Sequence, residues 1–191
     1  MLLSRIIGAF EFRRSVYAEV EEDRSFTNTA WVLVIVSAFL NQVGSHASAN
    51  LPNWVISAVV GTITSVLGFA LAAFIIDRVG RALFGADVTF NQLVRTLGLA
   101  FVWNAIGVFG IFTSLTPALS CVLGLILFAA TILLVIAWFV AAHEALDLPW
   151  GRTLFTVLLG WILFVVIVIG TRIVLGLLGL SAGAAGGLIG F

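Results

Sequence analysis

The sequence predicts an all-α fold: a polytopic membrane helical bundle with five transmembrane helices and an amphipathic, interfacial helix at the N-terminus. Three observations predict it. The 191-residue chain is 62% hydrophobic and only 9% charged, with a mean hydropathy of +1.22, whereas soluble domains run roughly 45–50% apolar and about 25% charged. Five apolar stretches, at about 28–44, 55–76, 92–112, 118–142 and 153–175, are set against the ~20 residues that cross ~30 Å of hydrocarbon. The arginines fall almost entirely in alternate connections between those stretches.

Residues 1–27 form the first part of the chain. Leu3, Ile6, Ile7, Phe10, Val16, Tyr17 and Val20 are interleaved with Arg and then with Glu19, Glu21, Glu22 and Asp23. This pattern suits an amphipathic helix or helix pair on a membrane surface. Ala47-Ser-Ala49 follows an apolar stretch, but the preceding residues are too long and too acidic for the n-region of a secretory signal, so no cleavage is expected.

Residues 28–175 are the membrane domain. Its first span is short and ends in the polar run NQVGSHASAN; the third carries Arg95 near its start and Asn104 near its middle. Helix boundaries are marked by Thr89-Phe-Asn-Gln92, which has capping-box spacing, by Thr116-Pro117, a cap followed by proline at the first helical position, and by Pro149, which disfavours helix at Leu148. Glycines at 61, 68, 98, 107, 110, 160 and 170 are expected at close helix–helix approaches. Asn41, Gln42 and Asn104 are the embedded amides and are expected to bond neighbouring helices. Asp77 is expected at the interface beside Arg78.

Residues 176–191 are a Gly-rich apolar tail, with Gly179-x-x-x-Gly183 and Gly183-x-x-x-Gly187. It can extend the last helix, fold back on the interface, or pack on another chain through its small residues.

Charge sets the orientation. Arg5, Arg13, Arg14 and Arg24 precede the first span, Arg78 and Arg81 lie between the second and third with Arg95 just inside, and Arg152 lies between the fourth and fifth. The intervening loops 45–54 and 113–117 contain no Arg. By the positive-inside rule the N-terminus is cytoplasmic and the C-terminus outside. Arg172, about 20 residues into the last span, snorkels to the outer headgroups.

The stretch AHEALDLPW at 142–150 places His143, Glu144 and Asp147 within five residues, as an active site would. The fourth span reaches the cytoplasmic interface here, so these residues read as a helix end with a local His–Asp contact. No second ligand pair lies on this side, since His46 falls on the other. Cys121 stands alone and reads as a small buried hydrophobe. Nine Arg against nine Asp plus Glu leave no net charge for a nucleic-acid backbone. The expectation is no cofactor, no metal, no catalytic residue and no nucleic-acid partner. The partners are the lipid bilayer and other membrane-protein subunits or a second copy of the chain.

Taken together, YAEVEEDRSFTNTAWVLVIVSA, GRALFGADVTFNQLVRTLGLA, Pro117 and WFVAAHEALDLPWGRTLFTVLLGW resemble the Yip family of Ypt/Rab-interacting membrane proteins over about residues 17–170. The most specific elements are Phe90 with Arg95 and Gly98, and Glu144-Ala-Leu-Asp147 with Arg152. The resemblance implies five spans and a cytoplasmic N-terminus and brings no catalytic residues. Two departures stand out. AFVWNAIG replaces a proline found after the third-span glycine in many members, and the long polar N-terminal region of the eukaryotic trafficking members is missing, which puts Rab binding in doubt.

The function expected is therefore that of a non-enzymatic membrane protein organising partners or the bilayer, in one form an accessory subunit of a larger complex. A small oligomeric transporter or channel is the alternative, and a water-filled cavity reaching Asn104 would favour it. An intramembrane enzyme lacks any Gly-x-Ser-x-Gly, His-Glu-x-x-His or paired embedded Asp. Asn104, Arg95, Glu144, Asp147, Arg152, Gly183 and Gly187 are the candidate structural or partner-contact residues. The absence of Lys hints at a GC-rich genome and a prokaryotic plasma membrane.

Overall fold

A computed structural model of the protein describes residues 2–45, 47, 51–115 and 120–177. His46, Thr116, Pro117, Gly179, Gly183 and Gly187 lie outside the described residues. The described chain is helical with no strand: α1 Leu2–Phe10, α2 Arg14–Glu22, α3 Phe26–Ser45, α4 Leu51–Phe84, α5 Phe90–Ala100, a 3₁₀ segment Phe101–Gly110, α6 Ile111–Leu115, α7 Ser120–Leu146 and α8 Trp150–Leu177. Five of its helical stretches are long and apolar enough to cross a membrane, the third being Phe90–Thr113.

The spans alternate between two ends. The proximal end carries Phe26, Phe84, Phe90, Leu146 and Trp150; the distal end carries Ser45, Leu51, Leu115 and Ser120. Helix α4 packs on α8, and α3 packs on the third span along most of its length. The third span ends near Thr113 and begins where the sequence indicates: Thr89 caps α5, its side chain accepting from the Gln92 N–H while the Gln92 side chain accepts from the Thr89 N–H.

A cluster of rings holds the middle of the bundle. Phe69 of α4 meets Trp31, Phe101 and Trp138 edge-on at 5.8, 5.4 and 5.8 Å, and Phe164 of α8 meets Phe101 at 5.9 Å. Such pairs contribute about 0.5–1.5 kcal/mol each beyond burial. In lipid, where apolar burial between helices drives little, this packing and close backbone contact carry the association. The outward faces of α3, α4, α7 and α8 expose Val36, Phe39, Ile63, Leu67, Phe128, Ile162 and Val166, among others.

Four sequence expectations about the spans need correction, and so does a fifth: the Asn104 side-chain amide, expected to bond a neighbouring helix, makes no hydrogen bond among the described residues, and only its backbone carbonyl does. Helix α4 runs seven residues beyond Asp77, whose side chain turns into the protein at 1% exposure and pairs with Arg81 at 2.7 Å and Arg78 at 3.8 Å. Cys121 is exposed on the first turn of α7 beside exposed Val122 and Leu125; lipid can supply the apolar surroundings that protein supplies elsewhere. Gly170 has open space where a side chain would be, because the end of α8 stands clear of its neighbours. The third span is α-helix at its two ends and 3₁₀ between them.

The ten-residue 3₁₀ run is unusually long, since such turns rarely exceed three or four residues. At ~2.0 Å per residue in place of ~1.5 Å it lengthens the span by about 5 Å. Its partner explains its position. A Cβ on Gly44 of α3 would lie 2.0 Å from the Gly107 carbonyl oxygen, and one on Gly110 would lie 2.8 Å from that of Gly44, so the two backbones touch. Asn41 secures the contact by donating its side-chain N–H to the Asn104 carbonyl at 3.2 Å. Gln42 donates to Ser65 Oγ at 3.0 Å, joining α3 to α4.

Candidate functional site

Two regions gather polar chemistry, one at each end of the bundle. At the proximal end, α1 and α2 fold back on one another and sit across α5 and α7. Their turn is closed by the Arg13 N–H bonding the Gly8 carbonyl and the Phe12 N–H bonding that of Ala9, a Schellman arrangement with Phe12 in the left-handed region at φ 55°. Glycine is the usual residue there, and a side chain costs roughly 1–2 kcal/mol. Phe12 offsets that by stacking on Trp103 at 5.4 Å, while Phe10 meets the same indole edge-on at 4.8 Å. The Trp103 and Tyr17 side chains both donate to the Ala9 carbonyl, each at 3.4 Å. Burial pushes the Tyr17 phenol above its usual range.

Arg95 is the fastener. It is 5% exposed and donates from Nε to the Val20 carbonyl at 3.0 Å, from Nη2 to the Glu21 carbonyl, and from Nη1 to Thr27 Oγ1 at 3.2 Å. Val20 and Glu21 belong to the last turn of α2, whose carbonyls have no partner within the helix. The guanidinium supplies donors and positive charge where the helix dipole is negative. Around it, Gln92 donates to Glu21 Oε1 at 3.0 Å. The Glu21 carboxyl is held above the usual range, first by desolvation and then by the charge of Asp147.

Arg5 ties α1 to α2 through Glu19 at 2.7 Å and Asp23 at 2.9 Å, and lies 5.0 Å over the Phe26 ring. Hydrogen bonds from Ser25, then the Arg5 guanidinium, hold the Asp23 carboxyl below its ordinary value.

The stretch 142–150 forms the turn under this helix pair. Trp150 is sandwiched: His143 stacks on it at 3.9 Å, and the Arg14 guanidinium lies 5.1 Å from its ring centre. Arg14 also approaches Glu144 at 3.6 Å. The expected His143–Asp147 contact is absent. Asp147 lies past the end of α7 in the left-handed region, φ 50°, so the two residues do not share a helix face. Arg152 lies 5.7 Å over Phe84. Among the described residues no three His, Cys, Asp or Glu are grouped to hold a metal ion.

At the distal end a cavity of about 280 Å³ opens between α3, the 3₁₀ segment, α7 and α8. Asn41, Ser45, Asn104, Thr131 and Arg172 line it together with Trp103, Trp161 and Phe164.

Of the residues singled out in the sequence, Arg95, Glu144 and Asp147 therefore surround α2, Arg152 lies on the α4–α8 contact, and Asn104 lines the distal cavity. Arg5, Arg14, Trp103 and Trp150 were not singled out. Part of the signal is local: Arg14 and Trp150 are the first residues of α2 and α8, where an arginine and a tryptophan can pair across a junction, whereas Arg5 and Trp103 lie inside their elements.

Comparison with known proteins adds one match. A family model described as the Yip1 domain matches residues 7–171. No curated protein and no solved structure matches the chain.

Proposed function

The chain belongs to the Yip1 domain family, and from that premise we propose that it is a non-enzymatic membrane protein that organises partners or the bilayer, as an accessory subunit of a larger membrane complex. The observation that carries this reading is the Arg95 fastening, which makes α1 and α2 a fixed platform on one end of a membrane bundle. A rigid surface loses little entropy when a partner docks on it. The platform faces outward with Ala18 and Glu22 exposed, four residues apart on one helix face, and Leu3 and Ile7 exposed on α1. In this reading the α1 stripe rests on the lipid interface and the α2 face meets another membrane subunit or a second copy. The arginine distribution supports a cytoplasmic platform and an outward C-terminus, in a prokaryotic plasma membrane.

Purification in gentle detergent from native membranes, with mass spectrometry of what accompanies the chain, tests it. Stoichiometric membrane-protein companions support the organising role. A clean homo-oligomer without companions overturns the subunit form and moves weight to the second reading, an oligomeric small transporter or channel. The distal cavity that Asn104 lines favours that second reading, and solute flux in proteoliposomes is its test.

A further inference from the structure

The distal cavity carries an inference beyond either reading. Its walls are ordered by depth. Helix α8 contributes Trp161 and Phe164, then Arg172, which at 1.5 Å per residue stands roughly 12–17 Å further toward the distal end. Helix α3 contributes Asn41 and Ser45 at its distal end, and α7 contributes Leu134 at depth and Leu127 nearer the mouth. One end of the cavity is thus aromatic and aliphatic, and the other is amide, hydroxyl and guanidinium.

The polar end has donors to spare. Asn41 is fixed by two bonds: it donates to the Asn104 carbonyl and accepts from Ser45 Oγ at 3.4 Å, which leaves its second N–H uncommitted. The Asn104 side-chain amide and the Arg172 guanidinium make no hydrogen bond or ion pair among the described residues. Among the described residues no carboxylate pairs with Arg172. All nine acids of the chain lie at 11–23, 77–87 and 144–147, and the spans carry every one of those positions to the proximal half. Arg172 is 22 residues beyond Trp150, about 33 Å along α8, at headgroup depth on the far side of a ~30 Å core.

We propose that this cavity binds a phosphate-bearing anionic lipid, its head group on Arg172, Asn41 and Asn104 and the start of an acyl chain among Trp161, Phe164 and Leu134. A phosphodiester presents acceptors only, which suits the uncommitted donors of Arg172, Asn41 and Asn104, and Arg pairs with its oxygens in bidentate geometry. Zwitterionic lipids bring an ammonium group that Arg172 repels and no acid among the described residues receives. At ~30 Å³ per water molecule the cavity has room for about nine waters, enough for a head group with a short length of chain. Binding does not require conduction, so it stands or falls separately from flux.

The test uses the full chain in neutral detergent micelles, with quenching of tryptophan fluorescence by phosphatidylglycerol or phosphatidylcholine carrying brominated acyl chains. Expected are saturable quenching by phosphatidylglycerol, about tenfold tighter than by phosphatidylcholine, and loss of part of that signal in Trp161→Phe. Arg172→Gln abolishes the preference and Arg172→Lys retains most of it. Arg172 is exposed, and a cooperative melt of each variant shows that it folds. Equal affinity for the two lipids, or a preference that survives Arg172→Gln, overturns the proposal. Inorganic phosphate that stabilises the protein through Arg172 while brominated lipid gives no saturable quenching also overturns it, in favour of a free-anion site.

Discussion

Replacing Arg95 by Leu removes the two donors that fasten α2 to the third span and a third to Thr27 of α3, and leaves a shorter apolar side chain in their place. Hydrogen bonds to a charged group contribute about 1.5–3 kcal/mol each. Two of the three fall on carbonyls of the last turn of α2, and both carbonyls lose their only charged partner. Water can reach this end of the bundle once α2 lifts, which returns part of the cost, so the two bonds to α2 together come to about 3 kcal/mol rather than their upper sum. At 1.4 kcal/mol per decade, that is roughly a hundredfold rise in the opening equilibrium of the platform. Hydrogen exchange read by mass spectrometry over peptides covering Arg14–Glu22 measures it directly, with α4 as the internal reference. Arg95→Lys keeps the charge but loses the fork and is expected to recover about half of the effect. Protection of Arg14–Glu22 in Arg95→Leu within threefold of the parent would refute the fastening role.

The remaining expectations concern backbone contact, titration and the amide bonds. Gly44→Ala places a methyl against the Gly107 carbonyl and is expected to cost about 1–3 kcal/mol in thermal melts, whereas Gly124→Ala, with open space around it, is neutral or stabilising by up to about 1 kcal/mol; equal effects would contradict the close approach. Glu21 holds its proton more tightly in the folded protein than the 4.5 of an unfolded chain. Its contribution is therefore fully present below pH 4.5 and is lost as the pH rises through the higher folded value. Glu21→Gln is expected to flatten the pH dependence of α2 detachment across that window, and an unchanged profile would count against it. Asp23, held low by Ser25 and Arg5, acts in the opposite sense: its contribution is present above 3.8 and fades as the pH falls through the lower folded value. Gln42→Leu removes the bond to Ser65 and is expected to cost about 0.6 kcal/mol, the usual size of such a bond between spans; a loss above about 2 kcal/mol would assign Gln42 a larger role.

Hydropathy and punctuation made the five spans legible, because a membrane demands one property over twenty residues and Thr89 with Gln92 is a local device. The 3₁₀ winding of Phe101–Gly110 was not legible. Its cause is Gly44, some sixty residues away, pressing on Gly107, and no local propensity encodes that. Arg95 stood out as a charge in an apolar run, but its partners are backbone carbonyls of Val20 and Glu21, which have no sequence signature. His143 and Asp147 looked like facing residues only while α7 was assumed to continue past Leu146; the left-handed turn at Asp147 separates them. The distal cavity needs Asn41, Asn104 and Arg172 from three different spans, and their convergence is a property of packing alone.

The central claim is that α1 and α2 form a docking platform, and the most direct measurement is site-specific photo-crosslinking in native membranes from residues 18 and 22, with Val36 on the exposed face of α3 as the comparison. The account predicts discrete protein adducts of fixed mass from Ala18 and Glu22, lost in the Arg95→Leu background, and adducts of lipid mass from Val36. No protein adduct from either α2 position, while Val36 reacts normally, would contradict it.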